Sequence, residues 1–500
     1  MSLIHDLRAT PRLGILVAVA AATVGIIYGY DSSNIAGALL FITDEFGLST
    51  GQQQLVTTAV VIGEVAGAVG GGALANRIGR KRSMLLVAAT FAAFSLLSAL
   101  AFSVPTLIGA RFLLGLTIGI SVVVVPVFVA ESAAPKVRGA MLVLYQVATV
   151  IGIIGGYLVA WALADTGSWR WMLGLAAIPG TIVFLLLLRL PDTARWYMMR
   201  GRREDATTVL ARIDPDADVT AELDDIEAAL TEEQSSTGSA FANLREMFRK
   251  PFLRATLFVV GLGFFVQITG INAIVYYSPR IFQAMGFEGN FALLGLPALV
   301  QVAGLAAVFV SMILVDRLGR RPILLTGIGI MIIANILLVA VFTIGSDFGG
   351  ALTVLGFLGL LLFTVGFTFG FGALVWVYAG ESFPARLRSL GSSAMLTSNL
   401  VANVAVAAFF LTLLTRVGGA GTFMIFGLLA LSAFVFVFKL APETKGRPLD
   451  DIRHFWENGG TWPTTAITDP ASELTAAPSG ASEVSVSVVV GATTHDDRSR

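Results

Sequence analysis

Asp31, Glu64 and Arg111 stand deep inside apolar runs long enough to cross a bilayer. A charge in the bilayer interior costs a few kilocalories per mole on insertion scales, so it persists where it is paired or where it works. Asp31 lies roughly 16 Å down its helix from the arginine-poor end, at 1.5 Å per residue. Glu64 has a like depth in the second run, and Arg111 enters the fourth run from the same end on a long side chain. An aspartate that releases its arginine on protonation would couple proton binding to a change of shape. The alternative is a structural Asp31–Arg111 pair that fixes helix packing. For Glu64 three roles stand open: a second protonatable group, a partner for Arg111, or the lining of a water-filled cavity.

A second set is neutral. Gln267, Asn272 and Tyr276 fall five and four residues apart, near one face of an unbroken helix, with Gly270 between them allowing a bend. Amides donate and accept hydrogen bonds as hydroxyl groups do, and aromatic faces cover C–H surface. Such a set suits a polyhydroxylated solute, or else the amides bridge helices, as buried polar groups often do.

A third set is written twice. Glu131-Ser-Ala-Ala-Pro-Lys-Val-Arg138 recurs 250 residues later as Glu381-Ser-Phe-Pro-Ala-Arg-Leu-Arg388, with Glu and Arg seven apart in both. Asn76–Arg82, containing Arg77 and Arg80, is echoed by Asp316–Arg321, containing Arg317, Arg320 and Arg321. Pro191-Asp-Thr is echoed by Pro442-Glu-Thr. Each cluster borders a long apolar run, which predicts two homologous membrane halves.

Composition agrees. Charged residues are 13% and hydrophobic residues 56% of the chain, and 53 glycines suit closely packed membrane helices. The net charge is zero, so nothing points to nucleic acid. Without cysteine there is no disulfide, thiolate metal site or cysteine nucleophile. The histidines, His5, His454 and His495, all lie in polar terminal segments, so none relays protons inside the membrane. No nucleotide loop, metal-ligand cluster or Ser/His pair lies within the runs, which argues against an enzyme and against a bound cofactor or metal.

A helix needs about 20 apolar residues to cross a bilayer. The expected spans are 13–42, 54–75, 83–103, 107–130, 140–163, 170–190, 253–284, 291–315, 322–343, 350–379, 389–415 and 420–440. The fold class is therefore an all-α membrane protein of twelve transmembrane helices in two six-helix bundles, 13–190 and 253–440. Lysine and arginine gather in the loops after even-numbered spans, which places those loops and both termini (1–12 and 441–500) in the cytoplasm. A frequent use of arginine and alanine hints at a bacterial cell membrane. The linker 191–252 reads as short amphipathic helices over 194–213 and 221–233, broken at Asp214-Pro215-Asp216 and jointed at 235–239. Beyond Arg447 the chain turns rich in Thr, Ser, Ala and Asp and is expected to be mostly disordered.

Together these motifs resemble the sugar porter family of the major facilitator superfamily, over roughly residues 12–448. The landmarks are Gly29-Tyr30-Asp31, the two arginine-rich loops, Arg111, Pro126–Arg138, Pro191–Trp196, Gln267–Asn272 with Tyr276-Tyr277, Trp376–Pro384 and Pro442–Gly446. The resemblance implies alternating access around a central site, with the linker helices latching the halves. It implies proton symport through Asp31, and a sugar or polyol held by Gln146, Gln267, Asn272, Trp376 and Asn399, with Tyr28 and Tyr276 as walls or gates. It further implies that Glu131, Arg138, Glu381, Arg388 and the loop residues form a cytoplasmic ion-pair network that gates the cavity.

The chain departs from the family at Val266, Ala373 and Leu400, losing one amide and one aromatic platform, which leaves room for another sugar, a polyol or a less polar solute. Asn76 replaces an acidic residue, so the network is expected to lean on Asp316. The expected partners are the solute, protons and lipid, with the chain acting as a monomer. An uncoupled facilitator and a transporter-like nutrient sensor are the alternatives.

Overall fold

The computed structural model describes residues 12–132, 138–213, 218–235, 240–344 and 350–462. Eleven helices are long and apolar enough to cross a membrane, and Arg12–Phe46, at 35 residues, precedes them. We number the spans 1 (Arg12–Phe46), 2 (Thr50–Ile78), 3 (Arg80–Ala99), 4 (Val104–Ser132), 5 (Arg138–Ala162) and 6 (Trp169–Gly174 and Ala177–Leu188). The second half holds span 7 (Leu253–Ile268 and Ile271–Ala284), span 8 (Leu296–Leu318), span 9 (Arg320–Ile344), span 10 (Gly350–Phe369 and Phe371–Glu381), span 11 (Ala385–Arg416) and span 12 (Gly418–Leu440). The all-α, twelve-span expectation is what the chain forms, and the described residues contain no strand.

Small residues decide which helices meet. Gly63 and Gly67 of span 2 lie on the backbone of Phe112 and Leu116 in span 4, and Gly115 and Gly119 of span 4 lie on that of Val60 and Glu64. A Cβ at any of the four would strike a carbonyl oxygen, so these two backbones touch as small-xxx-small helices do. Spans 1 and 5 repeat the device with Gly29 against Thr149 and Gly152 against Ile26. These contacts set Asp31, Glu64 and Arg111 on helices whose spacing leaves no slack.

The halves meet where span 2 packs on span 11, span 5 on span 8, and span 1 on span 7. Four side-chain hydrogen bonds between the halves lie in the arginine-poor part of the molecule or its middle. Thr412 donates to Gln54 at 2.9 Å, Arg280 to Thr43 at 3.0 Å, Asn290 to Asp165 at 2.8 Å, and Tyr157 to the Val275 carbonyl at 2.5 Å.

The linker differs from its expected form. Its first helix is two, Ala194–Met199 and Arg203–Ile213, divided at Gly201, whose φ of 71° ends the first turn. Val219–Ser235 follows, and an unexpected helix, Ala240–Met247, precedes span 7. The polar tail is also not featureless from its start. Leu449–Glu457 is a helix that buries Ile452, Phe455 and Trp456, with Trp456 against Phe258 of span 7 at 5.3 Å between ring centroids. His454 lies on this helix, beside Glu457. The expected break at 214–216, all of the expected joint at 235–239 but its first residue, and the tail from 463 onward lie outside the described residues.

Candidate functional site: a buried charge cavity beside an amide cluster

Asp31 and Arg111 meet. Arg111 donates to the Asp31 carboxylate at 2.5 Å, with the residues 2% and 4% exposed. Their pairing across spans 1 and 4 is the arrangement their depth in the sequence allowed. A cavity of about 10 Å³, roughly the room for one water, opens beside the pair. Glu64 of span 2 lines the same cavity, is 2% exposed, and has one carboxylate oxygen without a hydrogen-bond partner. The far wall is Tyr276, contributed by span 7 of the other half.

The amides assemble on two facing helices. Gln267 donates to Asn399 at 3.3 Å, and Asn272 donates to Asn403 at 2.8 Å. Asn403 in turn donates to the Tyr276 hydroxyl at 3.2 Å. Asn399 and Asn403 are four apart on span 11 and so share a face. Span 7 is not the unbroken helix that the residue spacing assumed. It stops at Ile268, turns through Gly270 at φ 103°, and restarts at Ile271. The break leaves Gln267 on one segment and Asn272 with Tyr276 on the next. The Gln267 side-chain oxygen is buried and unpartnered, so this amide retains acceptor capacity. Asn403 was not anticipated; its fourfold spacing from Asn399, in an apolar run, was the available signal.

Other expected residues are more scattered. Trp376 stands on the second segment of span 10 and is 48% exposed, beyond the break at Gly370. Gln146 is half-buried on span 5; Tyr28, half-buried on span 1, is not scattered but faces Glu64 and Tyr276. Val266 and Leu400, the apolar departures, are both buried, next in sequence to the amides Gln267 and Asn399.

At the arginine-rich ends the clusters act within each half. Arg80 grips Glu131 through two contacts, at 3.0 Å and 2.9 Å, and Thr193 donates to the same carboxylate at 2.6 Å. Asp192 accepts from the backbone N–H of Arg80 at 3.0 Å, and Glu443 accepts from those of Arg320 and Arg321 at 3.0 Å and 3.1 Å. Each carboxylate therefore caps the start of a span, where free N–H groups and the helix dipole favour negative charge. Asp316 is exposed, and in this conformation Asp192 and Glu443 hold the two loops. The repeated Pro191-Asp-Thr and Pro442-Glu-Thr motifs were their signal. Arg77 and Arg317 are exposed, and their carbonyls accept from Arg200 and Lys445. Glu381 and Arg388 each bury a polar atom without a partner. The Arg138 side chain lies outside the described residues.

Comparison with known proteins places this geometry. The family described as Sugar (and other) transporter matches residues 17–456. The galactose-proton symporter of Escherichia coli strain K12 is 37% identical over 446 residues, covering 89% of this chain and 95% of its own. The arabinose-proton symporter of the same strain is 34% identical over 452 residues, covering 90% and 94%. The inward open conformation of the xylose transporter XylE from E. coli superposes with a TM-score of 0.75 at 24% identity, covering 88% of this chain and 99% of that one, and so speaks for the fold. The chain belongs to the sugar transporter family, the sugar porters of the major facilitator superfamily.

Proposed function

We propose that this chain is a proton-coupled symporter for a sugar or polyol, working by alternating access as a monomer in a bacterial cell membrane. Its arginine-rich ends and both termini face the cytoplasm, as lysine and arginine do in short loops. The hydrogen bonds of Thr412 to Gln54, Arg280 to Thr43 and Asn290 to Asp165 then lie on the outer side. Relatives named as galactose- and arabinose-proton symporters support a hexose or pentose as substrate.

One observation carries the reading. Tyr276 walls the cavity of Asp31 and Arg111 while hydrogen-bonded through Asn403 to Asn272. Protonation of Asp31 releases Arg111, and a solute on Asn272, Gln267 and Asn399 shifts the Asn403–Tyr276 contact. Both events therefore bear on the same seam between the halves. A ligand moves such an equilibrium only by its differential affinity for the two forms, and this seam is where that difference is made.

The test is uptake into proteoliposomes under an imposed pH gradient, screened across sugars and polyols. The wild type is expected to accumulate its substrate and Asp31→Asn to lose accumulation while keeping exchange. An Asp31→Asn protein that still concentrates substrate removes Asp31 from coupling. A wild type that only equilibrates substrate makes the buried Asp31–Arg111 pair structural and the protein a facilitator.

A further inference from the structure

Resting on that reading, we propose that Glu64 is a second proton-binding carboxylate of the site, so that Asp31 and Glu64 share one arginine and one proton. The charges around the cavity do not balance. Asp31 and Glu64 bring two carboxylates, Arg111 brings one guanidinium, and Arg111 is engaged by Asp31. Glu64 is 2% exposed and has an oxygen with no hydrogen-bond partner. A buried, unpaired carboxylate is far from its favoured state in water and takes up a proton instead.

Among the described residues, Arg111 is the cation that acts on Glu64. The titratable groups facing Glu64 are Asp31 and Tyr28 of span 1, Arg111 of span 4, Tyr145 of span 5 and Tyr276 of span 7. Span 3 beyond Arg82, and span 11 between Arg388 and Arg416, carry no ionisable residue. The three tyrosines are neutral hydroxyl groups, and the cavity has room for about one water, too little to hydrate an anion.

One proton makes the closed cavity neutral. With Arg111 on Asp31, as here, that proton sits on Glu64. With the proton on Asp31, Arg111 is free to turn to Glu64. Two carboxylates competing for one cation titrate as a pair, not as individuals. Removal of Tyr276 as the halves rock apart admits water, and the shared proton leaves from whichever carboxylate holds it. The proton goes to bulk water; no bond other than O–H breaks.

The test uses the full chain in lipid. Infrared spectroscopy at neutral pH, with no sugar present, reads the C=O stretch of a protonated carboxylic acid. The band is expected in wild type and in Glu64→Asp, and lost in both Glu64→Gln and Asp31→Asn, because either single change leaves one carboxylate for one arginine. A band that survives Glu64→Gln overturns the assignment, and one that survives Asp31→Asn overturns the sharing. In proteoliposomes with galactose as probe, Glu64→Gln is expected to keep counterflow but drop to the accumulation seen without a pH gradient. Full accumulation by Glu64→Gln overturns the proposal. Failure of the wider symport reading is separate: it shows as wild type that never accumulates any solute, whatever the infrared result.

Discussion

Asn272 donates to Asn403 across 2.8 Å, from span 7 to span 11. The same Asn403 amide donates to Tyr276 at 3.2 Å. A single side chain thus ties a candidate sugar ligand to the wall of the charge cavity. Asn403→Ala leaves an amide and a hydroxyl with unmet hydrogen bonds, about 1–3 kcal/mol each. Sugar affinity is expected to fall by roughly 5- to 150-fold, and the pH dependence of the remaining binding to flatten. Calorimetry at several pH values checks both; unchanged affinity and pH dependence would take Asn403 out of the link.

Gln267→Ala and Asn272→Ala should weaken sugar binding by about 1–3 kcal/mol each without unfolding the protein. Tryptophan quenching in purified variants reads the affinity, and thermal melting reads the fold. Wild-type affinity in both would move the solute away from span 7.

Arg111→Ala removes the partner of the buried Asp31 carboxylate, a loss of about 3–5 kcal/mol for such a pair, whether Asp31 stays charged or takes up a proton. Asp31→Asn is expected to cost less, because Glu64 lines the same cavity and can take the arginine. Melting temperatures of the two variants in one detergent decide the order. Equal losses would mean that Glu64 gives Arg111 no alternative partner.

Gln54→Ala or Thr412→Val removes a 2.9 Å hydrogen bond that helps close the arginine-poor side. The equilibrium should shift toward the outward-open form, by about 0.5–1.5 kcal/mol for one neutral bond. The chain has no native cysteine, so single cysteines placed on spans 2 and 11 report this directly. Unaltered labelling from outside would show that the bond does not hold the gate.

Glu131→Gln weakens the grip of Arg80 and Thr193 at the other side. Transport rate is expected to drop more than sugar affinity, as also for Arg388→Ala. Equal losses in both quantities would point to a role in binding or folding instead of gating.

The sequence by itself determined the membrane class, the twelve spans, the doubled architecture and the depth at which Asp31, Glu64 and Arg111 would lie. These follow from hydropathy, from repeated motifs and from a fixed rise per residue, all of which are local to the chain. It also held the positions of Gln267, Asn272 and Asn399, though not which of them would meet. Only the tertiary structure decided that Glu64 opens onto the same cavity as the Asp31–Arg111 pair, because that depends on glycines of spans 2 and 4 bringing two backbones into contact. Only the structure showed Asn403 between Asn272 and Tyr276, since which helix faces span 7 is a tertiary relation, and the break at Gly270 resets the helical phase between Gln267 and Asn272. It also gave the capping role to Asp192 and Glu443, residues that lie more than a hundred positions from the helix starts they serve. Charge balance in a buried cavity is a property of several helices at once, and no stretch of sequence contains it.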